Sequence, residues 1–186
     1  MNVARAGFPL AITVFALVFP AGRHSAPAPD PGAPSIQLTS AAFPDGGRIP
    51  ASFTCDGGNT SPALAWSQPP AGTKSFALIV DDPDAPGGTF VHLVIYNLPS
   101  TAHSLPASEP KQPQLADGSR QGRNDFGDIG YGGPCPPGHT PHHYRFVLYA
   151  VDASLNLPAG ATRRQLDDAL KGHVVARGQT TGVYSR

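Results

Sequence analysis

The chain has 186 residues, which sets one domain as the expectation and allows a stable core. Its 13 Lys and Arg balance 13 Asp and Glu. There is no basic cluster, and Arg163-Arg164 is answered by Asp167-Asp168 one helical turn on, so a nucleic-acid surface is excluded.

In chain order, residues 1–26 read as a secretory signal: Arg5, an apolar stretch from Phe8 to Phe19, then small residues. That stretch is too short for a hydrocarbon core of about 30 Å, so no transmembrane segment is expected. Residues 27–35 form a Pro/Ala-rich linker, stiff and extended by composition. Loss of the signal removes Arg5 and Arg23 and leaves 11 basic against 13 acidic side chains. The expected product is exported, periplasmic or secreted, with a single domain over 36–186.

Within that domain, 22 prolines and 21 glycines punctuate apolar runs without forming repeats, the pattern of a loop-rich β protein. Strands are predicted at 36–43, 62–66, 75–81, 90–97, 144–151 and 174–184. In the 144–151 run, Tyr144, Phe146, Leu148 and Ala150 share one face. Val147, Tyr149 and Val151 share the other with Arg145. Both faces are largely apolar, as in an inner strand covered on two sides. One helix is predicted near 162–172. Thr162 and Gln165 make a capping box, Leu166, Ala169, Leu170 and Val174 form a stripe, and Gly172 marks the end.

The stretch from Asp81 to Asn97 organises the rest. An apolar run, Phe76 to Val80, stops at Asp81-Asp82, turns through Pro83, Pro86, Gly87 and Gly88, and resumes as a strand carrying His92. Read alone, the stretch fits acids that cap a turn and a core histidine with a hydrogen-bond partner better than it fits a site. Asp84 is expected to brace the turn. Asn124 and Asp128 are read as turn-forming residues.

Further on come Gly130-Tyr131-Gly132-Gly133-Pro134-Cys135-Pro136-Pro137 and His142-His143-Tyr144-Arg145-Phe146-Val147-Leu148-Tyr149-Ala150. Together with Asp82-Pro83-Asp84-Ala85-Pro86, the strand histidine, Phe53-Thr54-Cys55-Asp56-Gly57 and Ser61-Pro62-Ala63-Leu64-Ala65-Trp66, these resemble the phosphatidylethanolamine-binding protein family. The nearest branch is the bacterial YbhB/YbcL-like one, also called Raf kinase inhibitor-like proteins. The resemblance covers roughly residues 36–186. It implies an all-β fold with minor α: an antiparallel Greek-key β-sandwich with one or two short helices near the C-terminal part.

The resemblance also implies a small anion pocket built from Asp82, His92, His142 and Tyr144, completed by the Gly133–Pro137 backbone with Cys135 and Pro136. A phosphate or carboxylate needs converging N–H and O–H donors, and two imidazoles and a phenol supply them. Asp82 fits if it holds a histidine as imidazolium, or if it accepts from an ammonium or hydroxyl of the ligand. Ala85–Pro86 is implied to be a cis bond. The eukaryotic relatives close the pocket with a helix beyond the last strand. Here the chain stops at Gly182-Val183-Tyr184-Ser185-Arg186, as bacterial members do, so a more open site is expected.

No metal or cofactor is expected. His139, His142 and His143 invite zinc, but consecutive strand residues point to opposite faces, so His142 and His143 do not share one ion easily. No nucleophile elbow is present. Cys55 and Cys135 are the only cysteines. Export and their place in motifs of the family together predict a disulfide between them.

The leading functional expectation is a non-enzymatic binding or regulatory protein. It would take a small anionic ligand or a phospholipid headgroup, with a kinase or protease as a possible protein partner. The alternative is a hydrolase using Asp82 and His92 as an acid–base pair.

Overall fold

The computed structural model describes residues 34–186; the signal segment and most of the linker lie outside the described residues. In chain order the elements begin with β1 (Leu38–Ser40), β2 (Gly47–Arg48), a 3-10 turn at Ala51–Phe53 and β3 (Leu64–Trp66). The long strands β4 (Ser75–Asp82) and β5 (Phe90–Pro99) follow, then the short β6 (Ser104–Leu105) and β7 (Arg120–Gln121). The chain closes with β8 (His142–Val151), α1 (Arg163–Leu170) and β9 (Val174–Tyr184).

These strands make two sheets, one ordered β1-β3-β6 and one ordered β2-β9-β8-β4-β5-β7. Pairing is antiparallel except between β2 and β9. Within the larger sheet β8 returns to lie beside β4, on the far side from β5 and β7, which is the Greek-key order. Among the described residues the fold is mostly β with one α-helix, as expected.

The two apolar faces of β8 explain the layers. Tyr144, Phe146, Leu148 and Ala150 belong to the core between the sheets, with Phe76, Leu78, Trp66 and Leu105. Val147, Tyr149 and Val151 belong to a second core, in which Leu166 and Leu170 of α1 cover the outer face of the large sheet. The capping box forms as read: Gln165 N–H donates to Thr162 Oγ1, and Thr162 N–H donates to Gln165 Oε1 at 2.8 Å. Gly172 follows the helix in the left-handed region, φ +76°, where a side chain would be strained.

Two irregularities decide where the site lies. Register between β4 and β5 slips at His92: Val80 faces Leu93, but Asp81 faces Val91. The extra residue is a β-bulge, which re-aims the chain. Leu93 therefore joins the inner core while Val91 joins the outer one, and the His92 ring meets Tyr144 on the inner side. The second point is a correction. There is no cis peptide bond among the described residues, so Ala85–Pro86 is trans. The corner is made instead by Asp84 N–H donating to Asp82 Oδ1 at 2.8 Å and Gly88 N–H donating to the Ala85 carbonyl at 3.0 Å.

Candidate functional site

The six residues singled out from the sequence, Asp82, His92, Cys135, Pro136, His142 and Tyr144, surround one cavity of about 200 Å³. Strand geometry brings them there. Asp82 is the last residue of β4, His92 occupies the β5 bulge, and His142 and Tyr144 stand two apart on β8 and so share a face. Cys135 and Pro136 come from the loop that precedes β8.

The two histidines are anchored differently. His142 Nδ1 lies 2.7 Å from Asp82 Oδ2, both groups being buried. Asp82 thus has one oxygen on His142 and the other on the Asp84 amide. It orients the ring of His142, not that of His92. His92 Nδ1 lies 2.6 Å from the Gly132 carbonyl. A carbonyl only accepts, so Nδ1 carries the proton and Nε2 is the remaining polar atom. Burial pushes the His92 imidazole below its ordinary value. The Gly132 carbonyl and the carboxylates of Asp82, Asp125 and Asp81 offset only part of this. At neutral pH the ring is neutral, and its Nε2 accepts until it takes up a proton.

Tyr144 sits between them, its ring 5.1 Å from that of His92 and 6.5 Å from that of His142. It is 0 % exposed, and its hydroxyl has no protein partner. Burial raises its phenol, and nearby Asp82 and Asp84 raise it further, so it stays protonated and serves as a donor. A buried hydroxyl without a partner costs free energy unless something in the cavity accepts from it.

The glycine–proline loop is shaped by close approach. A Cβ on Gly132 would stand 2.4 Å from the Phe126 ring, and one on Gly133 would stand 2.5 Å from the Phe53 carbonyl. Only glycine lets the Gly132 carbonyl reach His92 and the Gly133 N–H reach Asn59 Oδ1 at 2.7 Å. Cys55 and Cys135 are joined, with Cα atoms 5.4 Å apart, which ties this loop to the turn after the 3-10 segment.

His139, His142 and His143 take three different partners. His142 meets Asp82, His143 meets Asp84 Oδ2 at 2.7 Å, and His139 meets the Arg186 carbonyl. Asp84 also accepts the His143 backbone N–H, so it braces the turn. Asn124 Oδ1 accepts from the amides of Phe126 and Asp128, the turn role read for it.

Pro137, the end of the loop read from the sequence, also lines the cavity; sequence reasoning missed the rest of the rim, Ala85, Pro86, Phe90 and Phe126. Phe90 stands two before His92 and was visible in principle. Phe126 was hidden in a polar loop. Asp81, beside Asp82, points to the other face of the sheet, where it binds Arg145 Nε at 2.7 Å and Arg163 Nη1 at 2.8 Å.

Comparisons with known proteins agree with this fold. Residues 39–185 match the family model described as phosphatidylethanolamine-binding protein. A UPF0098 protein of Aquifex aeolicus is 46% identical over 157 residues, covering 83% of this chain and 91% of its own. The UPF0098 protein YbcL of Escherichia coli is 40% identical over 162 residues, covering 82% and 88%. The crystal structure of Escherichia coli YbcL, described as a new member of the mammalian PEBP family, superposes with a TM-score of 0.77 at 37% identity, covering 82% and 99%. A homologue from Chlamydia trachomatis superposes with a TM-score of 0.74 at 38% identity, covering 82% and 98%.

Proposed function

The chain belongs to the phosphatidylethanolamine-binding protein family, and from that premise we propose that it is a binding protein whose cavity takes a phosphate or carboxylate group. The observation that carries this reading is the buried Tyr144 hydroxyl, without a partner, on a floor shared with two histidines that are each held through Nδ1. Those anchors leave two Nε2 atoms and one O–H for a ligand. The hydrolase alternative is less well supported: the lining offers no serine, threonine or free cysteine, and Asp82 is hydrogen-bonded to His142 while His92 is held by the Gly132 carbonyl.

The lowered His92 value gives the pH dependence a sign. An anion beside the ring favours the imidazolium and raises its affinity for a proton. Binding therefore takes up a proton between the free value, which lies below about 6.5, and the higher value in the complex. Affinity falls as pH rises through that window, by up to about tenfold per pH unit. Calorimetry with inorganic phosphate and with acetate, at pH 5.5 and 8 in two buffers of different ionisation enthalpy, tests this. Acetate controls for the titration of phosphate itself. Tighter binding at pH 5.5 with proton uptake, both lost in His92→Ala, is expected. Equal acetate affinity at both pH values overturns the protonation argument.

The same proposal includes export. Residues 1–26 read as a secretory signal, and the Cys55–Cys135 bond is of the kind that persists in oxidising compartments. Fractionation of cells expressing the full chain, with an intact-mass measurement, is expected to find a shortened, oxidised protein outside the cytoplasm. A full-length product in the cytoplasm would count against it. Phospholipid headgroups fit the pocket chemistry as carriers of phosphate.

A further inference from the structure

Phe126 is 47% exposed, the large hydrophobic residue that stands out in this way among the described residues. An exposed aromatic ring is ordinary when it is scattered on a surface. This one is held in place at the mouth of the cavity. Asp125 grips the start of β5 twice: Asp125 N–H donates to the Val91 carbonyl at 2.9 Å, and Val91 N–H donates to Asp125 Oδ2 at 2.7 Å. Asn124 accepts the Phe126 N–H at 3.0 Å and donates to the Gly130 carbonyl at 2.9 Å. Arg123 closes the loop on the Gly127 carbonyl.

The ring so held stands edge-to-face on Phe90, 4.7 Å between centroids, and on His92, 5.5 Å. Gly132 lacks a Cβ where one would meet it. Part of its surface therefore packs on Phe90, His92 and Gly132, while the ring also lines the cavity and remains half exposed to solvent. Pro86, Pro136 and Pro137 add apolar surface to the same rim. The site is thus polar at the floor and apolar at the collar. Its volume of about 200 Å³ is several times the ~30 Å³ share of one water in the liquid, so an oxyanion on the floor leaves space under the collar.

We infer that Phe126 selects the ligand: it forms an aromatic wall that favours a phosphate or carboxylate borne on an aromatic ring over the bare oxyanion or an aliphatic equivalent. This rests on the anion reading above. A flat π-face suits both the Phe126 edge or face and the C–H surfaces of proline, while the oxyanion reaches Tyr144 and the imidazoles. The competing role for Phe126 is a shield that keeps His92 dry.

The experiment is calorimetry of the oxidised full domain with inorganic phosphate, phenyl phosphate and cyclohexyl phosphate, and with acetate and benzoate. Wild type, Phe126→Ala, Phe126→Leu and Tyr144→Phe are compared. Phenyl phosphate is expected to bind about tenfold more tightly than inorganic phosphate and several-fold more tightly than cyclohexyl phosphate, with benzoate exceeding acetate in the same way. Phe126→Ala should remove that advantage and leave inorganic phosphate within about twofold, while Phe126→Leu should keep part of it. Tyr144→Phe should weaken every ligand alike. Inorganic phosphate binding with no gain from the phenyl group overturns the inference and leaves the anion reading standing. A uniform loss in Phe126→Ala assigns the shield role, and equal phenyl and cyclohexyl affinities overturn the aromatic preference. No binding of any anion overturns both.

Discussion

Replacing Asp81 with alanine is expected to cost about 3–5 kcal/mol of stability, the range for removing one partner of a buried ion pair. Asp81 is 1% exposed and meets two guanidiniums, Arg145 Nε through Oδ1 and Arg163 Nη1 through Oδ2. Arg163 also binds Asp167 at 2.8 Å within α1. Burial pulls the Arg163 guanidinium down, but Asp81 and Asp167 more than offset this and hold it above its ordinary value. Loss of Asp81 leaves Arg163 under the helix with one carboxylate in place of two. Arg145 is about a third exposed and contributes less, because water solvates it when the carboxylate is gone. At about 2–4 °C per kcal/mol for a domain of this size, the melting temperature should fall by roughly 10 °C. Urea unfolding of Asp81→Ala and of the double variant with Arg163→Met checks the mechanism, since removing both charges is expected to recover much of the loss. A single-variant loss below about 1 kcal/mol would overturn it.

Asp81 shows why part of the molecule was not legible in the sequence. Strand alternation already sends Asp81 and Asp82 to opposite faces, as it does His142 and His143. The partners of Asp81, however, are Arg145, opposite it across the β4–β8 pair, and Arg163 on the helix, both more than 60 residues away in sequence. No local pattern records that. The same distinction runs through the fold. The apolar faces of β8, the Thr162–Gln165 cap and the Gly172 stop are short-range signals, and each appears where it was read. Strands β2, β6 and β7 are two residues long, too short for any periodicity to mark them.

At the site, the sequence carried the residue types and the resemblance carried their grouping. The pairings did not follow from either. Asp82 holds His142 and not His92, because the β5 bulge turns His92 toward Tyr144 and the Gly132 carbonyl. A bulge is an insertion relative to a partner strand, so it cannot be seen in one strand alone. Phe126 was missed for a related reason. Its role depends on the loop being pinned to Val91 and on the missing Cβ of Gly132, and both are tertiary facts.

Removing the disulfide should have an effect as large as losing Asp81 and should reach the pocket as well. The Cys55–Cys135 bond links residues 80 apart in sequence. In the chain-entropy account, a loop of that length restricts the unfolded chain by about 4–5 kcal/mol, so Cys55→Ala with Cys135→Ala is expected to lower the melting temperature by roughly 10–20 °C. The folded state also changes, in a limited place. Residues 131–134 keep other anchors: Tyr131 Oη donates to the Phe53 carbonyl at 2.9 Å, Gly133 N–H to Asn59 Oδ1, and Cys55 N–H to the Pro134 carbonyl at 3.0 Å. The Gly132 carbonyl therefore still reaches His92. Beyond Pro134, the disulfide fixes the wall formed by Cys135, Pro136 and Pro137. Without it, that wall gains freedom that a ligand must remove on binding, and affinity falls. Cys135 is solvent-exposed, so a reductant can reach the bond and the oxidised protein serves as its own control. Phosphate calorimetry on the double variant and on reduced protein, well below either melting temperature, is expected to show weaker binding with the His92 pH dependence retained. Unchanged phosphate affinity in both would confine the disulfide to stability, and an unchanged melting temperature would refute the entropic argument itself.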